Sequence, residues 1–167
     1  MSAWHIAQLN VGRTVAPPDS PRLARFMAAL DEVNARADTS PGFAWRLQSA
    51  SGNATDIRAS DDPNLLVNMS VWETIESLFN FVYRSAHTAV MARRREWFER
   101  PAEAYMVLWW VPAGHTPTVA EALERLERLR RNGPGPLAFS FSQRYPAPGE
   151  RGDAVEAKPP SQCAGWE

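Results

Sequence analysis

The chain has 167 residues, a formal net charge of −1 and 44% hydrophobic residues. That suits one domain with a single sizeable core, and it supplies no field that would recruit nucleic acid or an anionic membrane. No apolar run approaches the ~20 residues that cross a bilayer, no basic-then-apolar leader opens the chain, and the lone Cys163 leaves no intrachain disulfide or thiolate cluster, so a cytoplasmic protein is expected.

Trp4 to Val11 reads as a first strand. Ile6 interrupts the alternation, but Ala7, Leu9 and Val11 form one apolar face, with Gln8 and Asn10 on the other. Ser20-Pro21 opens a helix whose core side is Leu23, Phe26, Met27, Leu30, Val33 and Ala37, and Pro41-Gly42 ends it. A second strand runs from Phe43 to about Ser49, and the polar stretch from Ala50 to Asn64 is a loop. Leu65 to Trp72 alternates as a third strand. Thr74 then caps a long amphipathic helix whose stripe is Ile75, Leu78, Phe79, Val82, Ala86, Val90 and Trp97, ending near Arg100-Pro101.

Tyr105 to Val111 is apolar on both faces, as in a strand covered on both sides. Thr118 to Arg131 is a further helix, with Thr118 and Glu121 placed for a capping box and Glu121/Arg125, Glu124/Arg128 and Glu127/Arg131 spaced as i,i+4 pairs. Leu137 to Gln143 alternates as a last strand. From Pro146 the chain is Pro-, Gly- and charge-rich without periodicity, so a domain over 1–145 is followed by a disordered tail over 146–167.

The order is βαββαβ followed by an extra helix and strand, an α+β, ferredoxin-like arrangement. Its sheet order, 4-1-3-2, sets Gln8 and Asn10, Asn68 and Ser70, and Arg46 and Gln48 on one face, opposite the face that packs on the helices. Trp72 lies on the same surface. Such a face is either a wet or self-associating sheet surface or a cavity with a few convergent polar groups. On the second helix Tyr83 and His87 are i,i+4 neighbours, and an imidazole is suited to proton transfer near neutral pH. The three histidines show no metal spacing, so no metal site is expected. Arg93-Arg94-Arg95 reads as a solvated helix face. Of Trp109 and Trp110, one must point to each side of its strand, and Trp109 is taken as a candidate for the cavity or a dimer seam.

Val71-Trp72-Glu73-x-x-Glu76, leading to Phe81 and His87, resembles the strand-to-helix signature of the dimeric α/β-barrel superfamily, which includes antibiotic-biosynthesis and haem-degrading monooxygenases. With Ala7-Gln8-Leu9-Asn10, Pro41-Gly42-Phe43-x-Trp45-Arg46-Leu47, Leu66-Val67-Asn68-Met69-Ser70-Val71-Trp72-Glu73, Val82-Tyr83-Arg84-Ser85-Ala86-His87 and Leu108-Trp109-Trp110-Val111-Pro112-Ala113-Gly114-His115, the chain over about residues 4 to 145 resembles a bacterial family of unknown function with that fold. The resemblance implies a homodimer of facing four-stranded sheets with helices outside. Haem-degrading members use an Asn, a Trp and a His. Asn10 matches the first, but the other two fall on Phe81 and Met91, so haem, and any other cofactor, is not expected. Cofactor-free quinone-forming monooxygenases use an Asn and a Trp near this junction, which Asn68 and Trp72 resemble, and Tyr83 is an unaligned counterpart of their substrate-binding tyrosine.

The expectation is a small-molecule protein of bacterial secondary metabolism, with no nucleic-acid or membrane partner. It is either a cofactor-independent monooxygenase-like enzyme on an aromatic or polyketide-like substrate, an isomerase or cyclase on the same scaffold, or a non-catalytic binding dimer. His87, Asn68 and Tyr83 are the candidate catalytic residues, and Asn10, Arg46, Ser70, Trp72 and Trp109 the candidate substrate contacts.

Overall fold

The computed structural model describes residues 3–85 and 87–157, with the side chains of residues 87 and 88 left outside the description. Its elements are β1 (Trp4–Arg13), α1 (Ala24–Asp38, entered through a 3-10 turn at Pro21–Leu23), β2 (Phe43–Arg46), β3 (Leu65–Trp72), α2 (Ile75–Arg84), α3 (His87–Ala92), β4 (Met106–Pro112), α4 (Val119–Asn132), β5 (Gln143–Arg144) and β6 (Val155–Glu156). β1 to β4 form one antiparallel sheet in the order β2-β3-β1-β4. This is the α+β, ferredoxin-like βαββαβ topology with an added C-terminal helix.

Register decides which residues share a face, because directly paired residues of antiparallel strands point the same way. Gln8 pairs with Ser70 and Leu108, Asn10 with Asn68 and Met106, and Ile6 with Trp72 and Trp110. The opposite parity, Ala7, Leu9, Val11, Val67, Met69, Val71, Val107, Trp109 and Val111, is a continuous apolar surface. It is covered by Ala122, Leu126 and Leu129 of α4, spaced four and three residues apart on one helical stripe. The polar parity lies beneath α1 and α2, where Ile6, Trp72 and Leu108 join Ala37, Ile75 and Leu78 in a second core.

One expectation is thereby corrected. The polar sheet face, expected opposite the helices, faces α1 and α2 of the same chain. The apolar face packs on α4, and Leu9, Val107 and Trp109 are fully buried within one protomer. The sheet is two-sided, which is why Ile6 breaks the alternation of β1: both parities enter cores. Each fully buried large apolar side chain contributes about 1.5–3 kcal/mol, so neither layer is dispensable.

The long second helix is also interrupted. Thr74 caps α2 as expected, its Oγ1 accepting from the Ser77 N–H at 3.0 Å. At Ser85, however, the backbone is extended and the hydroxyl bonds back to the Phe81 carbonyl. A serine side chain that competes for the carbonyl four residues earlier weakens helix continuation. The chain resumes as α3 and a 3-10 turn at Arg94–Glu96, and Trp97 enters a third core with Leu23, Phe26 and Leu66.

Leu137 to Gln143 does not form a regular strand. Phe139 exchanges two backbone hydrogen bonds with Leu108 on the free edge of β4, at 2.8 and 2.9 Å, as an isolated bridge. Phe139 and Phe141 then plug the second core. In the stretch after Pro146, described as far as residue 157, Ala147 is buried and β6 pairs with β5; residues 158–167 of the expected tail lie outside the described residues. No described helix is long and apolar enough to cross a membrane.

Candidate functional site

A cavity of about 170 Å³ lies between the polar face of the sheet and the helices α1, α2 and α3. One wall is built by strand register. Gln8 Nε2 donates to Asn68 Oδ1 at 2.8 Å and to Ser70 Oγ at 3.0 Å, and Trp72 Nε1 donates to the same Ser70 oxygen at 2.9 Å. Asn10 Nδ2 reaches Gln8 Oε1 at 3.4 Å. Gln8 and Ser70 are buried, whereas Asn68 is exposed, so the row runs from the interior to solvent. These side chains satisfy one another, which fixes their orientation.

The facing wall is aromatic and aliphatic. Phe81 stacks on Trp72 at 5.1 Å between centroids, and Phe43 meets Trp72 edge-on at 5.5 Å. Leu30, Val33, Val82, Val90 and Met91 complete it.

The sequence-based candidates separate clearly. Asn10, Arg46, Asn68, Ser70, Trp72 and Tyr83 all line the cavity. Arg46 does so with its guanidinium engaged elsewhere: Nε and Nη2 bridge Asp38 at 2.7 and 3.2 Å, and Nη1 donates to the Gly52 carbonyl at 2.8 Å. It braces the loop after β2 against the end of α1. The side chain of His87 falls outside the described residues. Trp109 does not reach the cavity. It is fully buried on the other face of β4, and its Nε1 donates to Glu121 Oε1 at 3.1 Å. Its neighbour Trp110 shares the cavity's parity but lies beyond Leu108, bonded to the Tyr145 carbonyl at 2.9 Å. β4 contributes Met106 to the lining instead.

Two lining residues escape a reading by composition, Arg94 and Tyr105. The basic run is not uniformly solvated. Arg93 is exposed and pairs with Glu96 at 2.8 Å, while Arg94 turns inward. Arg94 Nη1 donates to the Tyr105 hydroxyl at 3.1 Å, and its guanidinium carbon sits 4.5 Å from the centre of that ring. Burial pushes the Arg94 guanidinium below its ordinary range, with Tyr105 and Tyr83 acting in the opposite direction. Spacing alone carried a signal for Arg94, which lies four residues after Val90 and three before Trp97, on the side of the apolar stripe; the run of three arginines masked it, since such a run reads as a solvated face.

Among the described residues no group of three His, Cys, Asp or Glu side chains converges as a metal site would require. Among the described residues the charged groups of the lining are the guanidiniums of Arg46 and Arg94, and Arg46 is held by Asp38.

Fold and site together define an α+β, ferredoxin-like protein with a small-molecule-sized cavity between sheet and helices. The chain belongs to the family described as Domain of unknown function (DUF3291), which matches residues 5–155. Two solved structures, both from Nitrosomonas europaea, are similar to it. One is a protein of unknown function, 13% identical over 70% of this chain and 95% of that one, with a TM-score of 0.42. The other, named as a candidate antibiotic biosynthesis monooxygenase, is 15% identical over 71% of this chain and 97% of that one, also with a TM-score of 0.42. No curated protein matches this chain at a significant level.

Proposed function

We propose that this chain is a small-molecule enzyme, a cofactor-independent monooxygenase-like protein acting on an aromatic or polyketide-like compound in bacterial secondary metabolism. The observation that carries the reading is the fixed row Gln8, Asn68, Ser70 and Trp72 facing an aromatic wall in one cavity. A flat ring packs between the aliphatic side chains and the Trp72–Phe81 stack. Its oxygens meet the amides of Asn10 and Asn68, whose partners within the row hold them in place. Tyr83 closes the site on the α2 side, and His87 keeps its sequence-based role as acceptor of the phenolic proton. In the reaction a phenol with an unsubstituted ring position reacts with O2. One oxygen enters the ring, and the O–H and C–H hydrogens leave with the other as water, so the substrate supplies the electrons and the product is a quinone.

A second reading, a non-catalytic binding protein, is favoured by the neutral character of that wall: amides, a hydroxyl and an indole do not titrate between about pH 5 and 8. A homodimer, expected from the resemblance, would have to form without the polar sheet face that α1 and α2 cover. Among the described residues Leu137 and Val155 are the large apolar side chains left exposed.

The test is a native mass spectrum with an absorption spectrum of the same sample, followed by oxygen uptake on polyhydroxynaphthalenes. A bound aromatic mass and oxygen uptake that falls in Asn68→Ala and His87→Ala support the enzyme. Binding without uptake above the uncatalysed rate leaves the binding protein. A haem mass overturns both.

A further inference from the structure

We propose that Ser70 is an oxyanion-holding donor, so that the cavity takes its aromatic ligand as a phenolate with the ionised oxygen against the Ser70 hydroxyl. This deepens the reading above and rests on the cavity being the binding site.

A serine oxygen carries two lone pairs and one hydrogen, and in an open site the hydrogen rotates to suit its surroundings. At Ser70 it does not. Gln8 Nε2 donates to the oxygen from β1 at 3.0 Å, and Trp72 Nε1 donates to it at 2.9 Å. Neither nitrogen can accept, one being an amide NH2 and the other an indole N–H. Both lone pairs are therefore taken, and the hydrogen is confined to the one direction left. Among the described residues no group accepts it. Ser70 is 8% exposed and lines the cavity, so that direction leads into the cavity rather than into bulk water.

The two donors are themselves fixed. Gln8 is paired on both sides, with Ser70 of β3 and Leu108 of β4, and it also donates to Asn68 Oδ1 at 2.8 Å. Trp72 is fully buried against Phe43 and Phe81. A hydroxyl that accepts two hydrogen bonds is polarised and donates more strongly. Set in direction before a ligand arrives, it needs no reorganisation when charge develops opposite it, which is the condition for stabilising an oxyanion.

The rest of the row has the same polarity. The amide oxygens flanking Ser70, Gln8 Oε1 and Asn68 Oδ1, are each met by a donor from within the row. What the row leaves over beside Ser70 is hydrogens, its own and those on Asn68 Nδ2. An oxygen that keeps its proton finds the neighbouring acceptors engaged, whereas a bare oxygen finds donors. Among the described lining residues none is an aspartate or glutamate that would repel it. A phenolate meets these conditions with its oxygen and leaves its ring to the apolar wall. The proton it gives up goes to His87 in the reaction proposed above, and to buffer in the titration below.

The probe is 4-nitrophenol, which ionises near neutral pH and whose phenolate absorbs at longer wavelength than the phenol. The control is 4-nitroanisole, which has no such proton to lose. Both are bound to the full chain, and the absorption of bound 4-nitrophenol is followed against pH. The wild type is expected to lower the pKa of the bound probe by about 1 to 2, roughly 10- to 100-fold in its ionisation constant, as for a hydrogen bond to a charged group. In Ser70→Ala most of that lowering disappears, while 4-nitroanisole binds as before, which shows the cavity intact. Ser70→Thr keeps a hydroxyl and retains the lowering. A lowering that persists in Ser70→Ala overturns the assignment to this hydroxyl, and so does its loss in Ser70→Thr. If Ser70→Ala does not fold, the wild type and Ser70→Thr still decide. A wild type that binds 4-nitroanisole but leaves the pKa of 4-nitrophenol unchanged also overturns the assignment, with the cavity reading left standing. If neither probe binds the wild type, both fail.

Discussion

Ser70 is the acceptor shared by two donors from different strands, and removing it tests the central wall of the cavity. In Ser70→Ala, Gln8 Nε2 keeps its bond to Asn68 Oδ1 at 2.8 Å, but Trp72 Nε1, in a fully buried ring, loses its acceptor. An unsatisfied buried donor costs about 1–3 kcal/mol. For a chain of this length, about 2 kcal/mol corresponds to a fall of about 4–8 °C in Tm. The assay is equilibrium unfolding in urea by far-UV circular dichroism, run as a cycle with Trp72→Phe and the double variant. Trp72→Phe carries its own cost in lost ring volume, which the cycle subtracts. With the indole donor already gone, Ser70→Ala should cost about 1 kcal/mol less or better than it does in the wild type. Additive effects within about 0.5 kcal/mol, the range for uncoupled sites, would refute the shared-acceptor account. A water entering the cavity to bond Trp72 would give the same additive result, and a fall in ligand affinity with unchanged stability would identify it.

Other outcomes follow from single contacts elsewhere. Gly42 has φ of +79° and its carbonyl accepts from the Glu73 N–H at 2.7 Å, while an added Cβ would collide with the Ser77 side chain in the first turn of α2. Gly42→Ala should therefore cost more than the about 1–2 kcal/mol of a left-handed backbone alone, whereas Gly52→Ala, at φ of +88° with open space around it, should cost only that backbone contribution; equal shifts in the urea midpoint would contradict the collision. Glu121 gives a pH effect. Burial pushes its carboxyl up, but the hydrogen bonds from His115 and Trp109 and the nearby charges of His115 and Arg125 outweigh this and hold it below the ordinary range. The unfolded chain then binds the proton at higher pH than the folded one, so this stability is present above about pH 4.3, the ordinary glutamate value, and is lost as pH falls through the lower folded value. In Glu121→Gln that part of the acid loss should disappear from the stability profile between about pH 5 and 2; an identical acid limb in both proteins would refute the assignment.

The functional candidates gain and lose by one structural fact, the placement of helices on both faces of the sheet. A pocket on an open polar face would depend on a partner protomer to enclose it. Here α1, α2 and α3 enclose it within one chain, and candidate residues contributed by β1, β2, β3 and α2 line it together. Trp109 leaves the site for the same reason: its strand is sandwiched, and its ring serves α4 through Glu121.

Local patterning determined most of the frame. Period-two alternation located β1 and β3. Thr74 and Thr118 marked the starts of α2 and α4, where each accepts the expected backbone N–H, and the element order alone carried the sheet topology. The amide row was also legible, because residues of one parity on strands paired in this order must lie together. The capping box was legible only by half: Thr118 accepts from the Glu121 N–H at 3.1 Å, but the Glu121 side chain turns to His115 and Trp109. Which layer covers which face was not legible, since the parities of β1 and β4 are both apolar enough to be buried and alternation carries no label for the element above it. The break at Ser85 was hidden by an apolar stripe that continues across it. Arg94 was hidden because a charge is read as solvated until the fold shows what can solvate it, here the ring and hydroxyl of Tyr105, eleven residues further on. Spacing and propensity act within one element and can be read along the chain. Coverage of a face and burial of a charge are decided between elements, and only their packing settles them.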